Sequence, residues 1–333
     1  MTNHFSAGTL LRGVGLACAF VATVSAASAQ EITLRGASMF DENHAFTKTM
    51  RRFAELVNEK YDGDVTFDLR LNGELGVEAD YVTFLQQGVA IDYTIMAPSN
   101  MATFAPSIPL MDMPFLFRDQ AQWEAVLSSD VLKPLEDELL EKADIMVIGY
   151  TGGGVRNIIS NAPIQNLEEL NGFKMRVMGA PIQAQIFSAL TAAPSAIAYN
   201  EVYNAIQTGV IAGFENEAAS IQNLKFYEVA PYLTLTRHAI TVRPIVMSGK
   251  TFRNLPEDLQ AAVLEAGDEA GAFGRELESR EDAEKLQEMV DAGQLTVLEF
   301  EGRDELLKMV VPVQDAYAES LGATDLLTAI RGM

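Results

Sequence analysis

Residues 172–178 read Gly-Phe-Lys-Met-Arg-Val-Met, and this heptapeptide indicates both the fold and the chemistry of the chain. Phe173, Met175 and Val177 alternate with polar positions, as expected for a short strand with one buried face. Arg176 lies on the opposite face of that strand. The sequence therefore predicts a sheet strand that carries a fixed cation.

A second arginine is expected beside the first. Arg156 follows an apolar run at residues 145–150, which we interpret as a strand, and the glycine triplet at 152–154, which we expect to be flexible. Two arginines at neighbouring strand ends can each donate paired hydrogen bonds to one carboxylate. The pattern thus predicts a carboxylate clamp, with solvated or structural ion pairs as the alternative.

The N-terminal half of the chain alternates strand and helix patterns. Strands are predicted at 32–38, 65–71 and 91–96, and helices at 45–60 and 78–87. A β-α-β-α-β order is typical of an α/β domain.

A second α/β unit is predicted from residue 145 onward. Its expected elements are helix 181–190, strand 195–198, a helix capped by Asn200, strand 210–214 and a two-part strand over 232–242. Pro244 lacks an amide hydrogen, so this last strand should bend or lie at a sheet edge. Its crossing between the two units predicts a hinge. The chain beyond Pro256 is predicted to be mostly helical, with one strand at 295–300.

The N-terminus has the pattern of a secretory signal peptide. Arg12 precedes an apolar run at 14–24, and Ala-Ser-Ala at 27–29 predicts cleavage before Gln30. Cys18, the only cysteine, lies inside this segment, so the exported protein would hold no disulfide.

Charge excludes several classes of partner. The chain has 24 Lys and Arg against 46 Asp and Glu, a net charge of −22, which argues against nucleic acid and against anionic membrane surfaces. An anionic ligand would therefore need a local cluster of donors.

Catalytic and cofactor motifs are not recognised in the sequence. His44 and His238 are the histidines beyond the predicted signal peptide, and neither has carboxylates at metal-ligand spacing. The segment 152–156 has neither the phosphate-loop nor the dinucleotide pattern, and there is no G-x-S-x-G motif. We therefore predict no metal, no cofactor and no enzymatic turnover.

Several short motifs, in order, carry a family resemblance. They are Leu75-Gly76, Pro-Phe-Leu-Phe at 114–117, Gly172 with Lys-Met-Arg at 174–176, Glu-Val-Tyr-Asn-Ala-Ile-Gln-Thr-Gly at 201–209, and Glu215-Asn216. Together they resemble the extracytoplasmic solute receptor (DctP type) of tripartite ATP-independent periplasmic (TRAP) transporters. The resemblance extends from about Glu31 to Met333.

The resemblance implies an α/β, two-lobed periplasmic solute-binding clamshell with a long helix that spans both lobes, within 256–291. By analogy, lobe I holds residues 30–153 and 242–281, and lobe II holds 154–241 and 282–333. Such a periplasmic receptor, expected to be a monomer, captures a small organic acid. It delivers the acid to a small and a large membrane subunit driven by a sodium gradient. The alternatives are a co-receptor for chemotaxis or signalling and, third, a secreted enzyme on a related scaffold.

The resemblance also assigns candidate ligand-binding residues. Arg176 matches the arginine that forms the main salt bridge to the ligand carboxylate, and Arg156 matches a second arginine beside it. Asn216 matches a pocket asparagine whose amide can bond the same carboxylate. Tyr199 lies at a position that is often aromatic, where it either lines the ligand or packs against the following helix.

Three further candidates each have a structural alternative. His238 either contacts ligand or bonds to the backbone, and Glu78 either faces the cleft or is a first-turn acid of its helix. Arg243 either adds a second cation, or faces solvent or pairs with a surface acid. Because uronate receptors often have an acid near this position, Arg243 makes a uronate less expected than another small hydroxy, keto, dicarboxylic or sugar acid.

Overall fold

A nine-stranded mixed sheet runs through the computed structural model, which describes residues 32–333. The strands are β1 (Ile32–Ala37), β2 (Val65–Arg70), β3 (Tyr93–Ile95), β4 (Ile145–Ser160), β5 (Lys174–Val177), β6 (Ala193–Ala196), β7 (Gly213–Asn216), β8 (Tyr232–Ser248) and β9 (Thr296–Glu299). Their order is β2-β1-β3-β8-β4-β7-β5-β6, with β9 paired to β8. The predicted signal peptide and its cleavage site lie outside the described residues.

Helices cover the sheet. They are α1 (Ala45–Lys60), α2 (Glu78–Gln87), α3 (Gln120–Leu127), α4 (Lys133–Ala143), α5 (Leu167–Leu170), α6 (Pro181–Ala189), α7 (Val202–Gln207), α8 (Ala218–Asn223), α9 (Gly249–Asn254), α10 (Glu257–Asp291), α11 (Arg303–Ser320) and α12 (Thr324–Gly332). None of these helices, all within the described part of the chain, is long and apolar enough to cross a membrane.

Two long antiparallel strands, β4 and β8, connect the halves of the sheet. Strands β1 to β3 lie on one side of this pair and β5 to β7 on the other. The β4–β8 pairing runs from Ile145 opposite Ser248 to Ser160 opposite Tyr232. This arrangement is the two-lobed α/β architecture that the resemblance implies.

The long strands correct two points of the sequence analysis. Gly152–Gly154, expected to be flexible after the strand, lie within β4. For β8, expected to bend or to lie at an edge at Pro244, the edge alternative is wrong because the strand is central. Pro244 lies opposite Tyr150, between register shifts of the β4–β8 ladder. These irregularities, like β-bulges, make room for a residue that cannot donate to the ladder.

Helix α10 spans both halves, as predicted. It packs against α1 on one side, α8 on the other, and β4 between them. Glycines allow this close approach, because a Cβ on Gly267 would lie 2.0 Å from the Ile148 carbonyl oxygen. A Cβ on Gly271 would lie 2.6 Å from the Tyr150 carbonyl oxygen. The helix therefore rests directly on the strand backbone.

Each half has its own apolar cluster, and a third, larger cluster joins them. Phe53 and Leu259 belong to the cluster beside β1, and Phe214 and Met289 belong to the one beside β7. Helix α10 contributes to both of the smaller clusters. The lobe boundaries remain a prediction.

Two local predictions near the second half were displaced. A 3-10 turn at Tyr199–Glu201 precedes α7, so Asn200 lies within that turn and does not cap the helix. Strand β6 begins at Ala193, two residues before the predicted start, because it pairs in parallel with β5 from Lys174 onward. The turn orients Tyr199 toward the space between the two halves.

Candidate ligand-binding site

A cavity of about 240 Å³ lies between the two halves of the sheet. Met39, Phe40, Glu78 and Asn100 line it from the β1 side, and Tyr199, Asn216, Glu217 and Ser220 from the β7 side. Six of the seven predicted site residues line this cavity, namely Arg176, Arg156, Asn216, Tyr199, Arg243 and Glu78.

Arg176 is a buried cation without an anionic partner. It is 4% exposed, and its Nε donates to the Ile197 carbonyl at 2.9 Å. Its guanidinium carbon lies 5.4 Å from the centre of the Tyr199 ring, and within residues 32–333 it forms no salt bridge. Burial lowers the pKa of Arg176, partly offset by the field of Glu215. Its remaining donors are therefore available to an anion in the cavity.

Arg156, by contrast, is held by two carboxylates. Its Nε and Nη2 donate to the two Glu215 carboxylate oxygens at 2.5 and 2.9 Å, and Nη1 donates to Glu217 at 2.6 Å. Burial alone would lower the pKa of Arg156, but attraction to Glu215 and Glu217 raises it above its ordinary value. Most donors of Arg156 are thus used inside the protein, and it orients the site more than it supplies free charge.

Arg243 projects from β8 into the same cavity. It is 6% exposed, its Nη1 donates to the Val242 carbonyl at 3.0 Å, and its guanidinium carbon lies 5.7 Å from the Phe46 ring centre. Its burial excludes the alternative of a solvated surface arginine. The two cations that face the cavity without a carboxylate partner among residues 32–333 are therefore Arg176 and Arg243.

Acceptor groups lie on the opposite wall. The Glu78 carboxylate, at the start of α2, accepts from Asn100 Nδ2 at 2.6 Å and from the Ala97 amide at 2.9 Å. The side chains of Glu78 and Asn100 both line the cavity. Glu78 is therefore more than a first-turn acid of its helix, since it faces the cleft and fixes the Asn100 amide.

Tyr199 and Asn216 form a pair on the β7 side. The Asn216 Nδ2 donates to the Tyr199 hydroxyl at 2.6 Å, which leaves the amide oxygen of Asn216 and one amide hydrogen for other partners. Asn216 itself is 2% exposed and ends β7. The pair holds the Tyr199 ring in place against Arg176.

His238 lies outside the cavity lining. Its Nε2 is 3.2 Å from Glu215, its Nδ1 is 2.8 Å from the Thr236 hydroxyl, and it is 2% exposed. Burial lowers the pKa of His238, although Glu215 opposes the shift. His238 therefore lies behind Glu215 and outside the cavity lining, and its ring bonds to side chains rather than to the backbone.

The sequence analysis did not predict the contacts of the other described histidine, His44. His44 is the N-cap of α1, and its Nδ1 accepts from the Phe46 amide at 3.2 Å. Its Nε2 lies 3.1 Å from the Ser220 hydroxyl, which in turn donates to Glu217. The local sequence signal for His44 was its position just before a helix. Its contact with Ser220 could not be predicted locally, because Ser220 lies 176 residues away.

These features define the class. A cleft between two α/β halves, lined by fixed polar groups and by two buried arginines without a carboxylate partner among residues 32–333, is typical of a two-lobed solute-binding protein for a small anion. The comparisons with known proteins agree.

The sequence matches the family described as bacterial extracellular solute-binding protein, family 7 (DctP), over residues 37–320. It is 80% identical over 314 residues to a solute-binding protein of Sulfitobacter sp. (strain NAS-14.1), covering 94% of this chain and 95% of that protein. The chain belongs to the DctP family of extracellular solute-binding proteins.

Two solved structures are similar over nearly the whole described chain. A TRAP periplasmic solute-binding protein from Sulfitobacter sp. NAS-14.1 with bound α-D-taluronate has a TM-score of 0.89 and 82% identity, covering 90% of this chain and 97% of that one. Another from the same strain, with bound β-D-galacturonate, has a TM-score of 0.84 and 28% identity, covering 90% and 100%.

Proposed function

We propose that this chain is the exported receptor of a TRAP transporter and that it captures a sugar acid of the uronate type. The single observation that carries the proposal is Arg176, a buried arginine with unpaired donors in a cavity lined by both halves. A desolvated cation of this kind is costly unless an anion binds it. In this proposal, Arg176 binds the ligand carboxylate.

The uronate class rests on the relative that is 82% identical and was crystallised with α-D-taluronate. The proposal departs from our expectation that Arg243 makes a uronate less expected than other small acids. Arg243 can donate to a carboxylate or a sugar hydroxyl, and Glu78, Asn100 and Asn216 supply acceptors and donors for the remaining hydroxyls. The cavity thus offers hydrogen-bond partners for both the carboxylate and the hydroxyl groups of a uronate.

The energetics are those of a binding site. A hydrogen bond to a charged group contributes about 1.5–3 kcal/mol, and micromolar affinity requires about 8 kcal/mol. Two arginines and several neutral donors supply much of this, and closure of the two halves excludes water and strengthens each bond. No covalent step is needed, so we propose that the chain is not an enzyme.

The remaining parts of the proposal follow from the family. We propose export through the predicted signal peptide, a monomer, and delivery of the ligand to a small and a large membrane subunit. Lobe I would hold 30–153 and 242–281, and lobe II 154–241 and 282–333. The relatives named above are solute-binding proteins, which favours transport over the signalling co-receptor and the secreted enzyme.

The proposal is tested by calorimetric titration of the purified protein with D-taluronate, D-galacturonate, D-glucuronate and, for contrast, C4-dicarboxylates. Arg176→Ala should abolish binding, and Arg280→Ala, which removes an exposed arginine of α10, should leave it unchanged. Uronate binding that survives Arg176→Ala would show that the carboxylate lies elsewhere. Arg243→Ala tests the second cation, and unchanged affinity in that variant would refute its role.

A further inference from the structure

A second cavity, which we call the outer cavity, adjoins the ligand cavity. It has a volume of about 390 Å³ and shares Met39, Val77 and Tyr199 with the ligand cavity. Its other lining residues come from both halves of the sheet and are Asn72, Gly73, Gly76, Asn200, Tyr203, Leu224 and Phe226. The two cavities are therefore adjacent, and we call the ligand cavity the inner compartment and the outer cavity the outer compartment of the cleft.

Tyr199 is the partition between the compartments. Its hydroxyl is held by Asn216, and Arg176 lies over its ring at 5.4 Å. The Phe226 ring of the outer cavity lies 5.7 Å from the Tyr199 ring. A group attached to a ligand on Arg176 would pass along this fixed ring to reach the outer cavity.

The outer cavity has the chemistry of a sugar site. Tyr199 and Tyr203 provide aromatic surface, whose negative ring faces attract the C–H face of a pyranose. The buried Phe226 ring packs against both tyrosines. On the β1 side, the lining includes the backbone of Gly73 and Gly76. The exposed amides of Asn72 and Asn200 can donate to and accept from hydroxyl groups.

The lining of the outer cavity favours a neutral ligand. The lining includes no lysine, arginine, aspartate or glutamate, in contrast to the arginines of the inner compartment. The Tyr203 hydroxyl, moreover, donates to Glu228 at 2.8 Å, which places a carboxylate near this wall. A second uronate would find no cation here and would meet an acidic neighbour.

We propose that the outer cavity is a subsite for a neutral sugar unit, linked to the acid that is bound on Arg176. This rests on the proposed function and extends it from single sugar acids to acid-terminated disaccharides. The inner compartment selects the carboxylate, and the outer one adds affinity through aromatic contact.

The test uses a panel of aldobiouronic acids, in which a hexuronate is linked to a neutral hexose through different hydroxyls, with the free uronates and digalacturonate as comparison ligands. Each is titrated into the wild type, Tyr203→Ala and Tyr203→Phe. Tyr203 lines only the outer cavity of the two, so both variants should bind free uronate as the wild type does.

We expect at least one aldobiouronic acid to bind up to about tenfold more tightly than the free uronate, as an aromatic contact allows. Tyr203→Ala should remove this preference, Tyr203→Phe should retain it, and digalacturonate should gain nothing. The proposal is overturned if no disaccharide exceeds the free uronate, or if the preference survives Tyr203→Ala. Failure of the wild type to bind any free uronate would refute the sugar-acid function itself, and this subsite with it.

Discussion

His44 and Ser220 join the two halves of the protein through a hydrogen bond of 3.1 Å between Nε2 and Oγ. Because Nδ1 accepts from the Phe46 amide, Nε2 carries the hydrogen and donates to Ser220. Burial lowers the pKa of His44 well below its usual value, so the ring is neutral at pH 7. The Ser220 hydroxyl in turn donates a hydrogen bond to Glu217, which also accepts one from Arg156. The chain of contacts thus links closure of the cleft to the site.

We predict that loss of the His44–Ser220 hydrogen bond lowers the affinity for the ligand, although this bond does not involve the ligand carboxylate. In His44→Asn, the shorter side chain can still cap α1 but cannot reach Ser220. We expect about tenfold weaker sugar-acid binding, measured by calorimetry, because a buried hydrogen bond contributes about 0.5–1.5 kcal/mol. His44→Ala should lose the cap as well and unfold at lower urea concentration. Wild-type affinity in His44→Asn would exclude a role for the contact in closure.

Removal of Arg156 and removal of Arg176 should have different effects on the free energy of unfolding. Arg156→Ala leaves Glu215 and Glu217 buried without their cation, so we expect the free energy of unfolding to fall by about 3–5 kcal/mol. Arg176→Ala removes a buried charge that has no carboxylate partner among residues 32–333, so the ligand-free protein should be at least as stable as the wild type. Urea unfolding of both variants without ligand checks this. Equal destabilisation would mean that Arg176 is also a structural ion-pair residue.

The contact of α10 with β4 predicts a steric effect. In an exposed helix, Gly→Ala stabilises by about 1 kcal/mol, but Gly267→Ala would place a Cβ 2.0 Å from a carbonyl oxygen of β4. We therefore expect Gly267→Ala to lower the melting temperature by several degrees. Asp268→Ala, at the neighbouring exposed position, is the control and should change it little. An unchanged melting temperature in Gly267→Ala would show that helix and strand separate at little cost.

Glu278 predicts a pH dependence of stability. It lies on α10 and is fully buried, and this burial, with repulsion from Glu217, raises its pKa to about 8. Thr241 and the Gly154 amide donate to its Oε1, whereas Oε2 has no partner among the described residues. Since the folded state holds the proton more tightly than the unfolded one, stability is full below the unfolded pKa and falls as pH rises toward 8.

In Glu278→Gln the Oε1 contacts can remain while the ionisation is removed. We expect its melting temperature to exceed that of the wild type by an amount that grows between pH 5 and pH 8, at about 2–4 °C per kcal/mol. The pKa of Asp282, raised to about 6 by burial, adds a slope of the same sign that both proteins share. A difference that does not vary with pH would contradict the raised pKa of Glu278.

Local patterns were sufficient for most of the fold. Helix α1 was predicted with its observed bounds, as was α2, because apolar spacing and end signals act within a few residues. The continuity of β4 through its glycine triplet was not predictable in this way. Gly152 and Gly153 have φ angles of 121° and 125°, and the triplet stays within β4 at a register shift opposite β8, with α10 packed against it.

The sequence by itself determined the α/β order, the family motifs and the position of a cation at Arg176, because these depend on residue type and short spacing. Only the tertiary structure decided which arginines are available to a ligand. Glu215 and Glu217, 59 and 61 residues along the chain, occupy Arg156, while Arg243 is buried beside Arg176 in the cavity. Charge pairing and desolvation depend on groups that are close in space but distant in sequence, and local spacing holds no record of them.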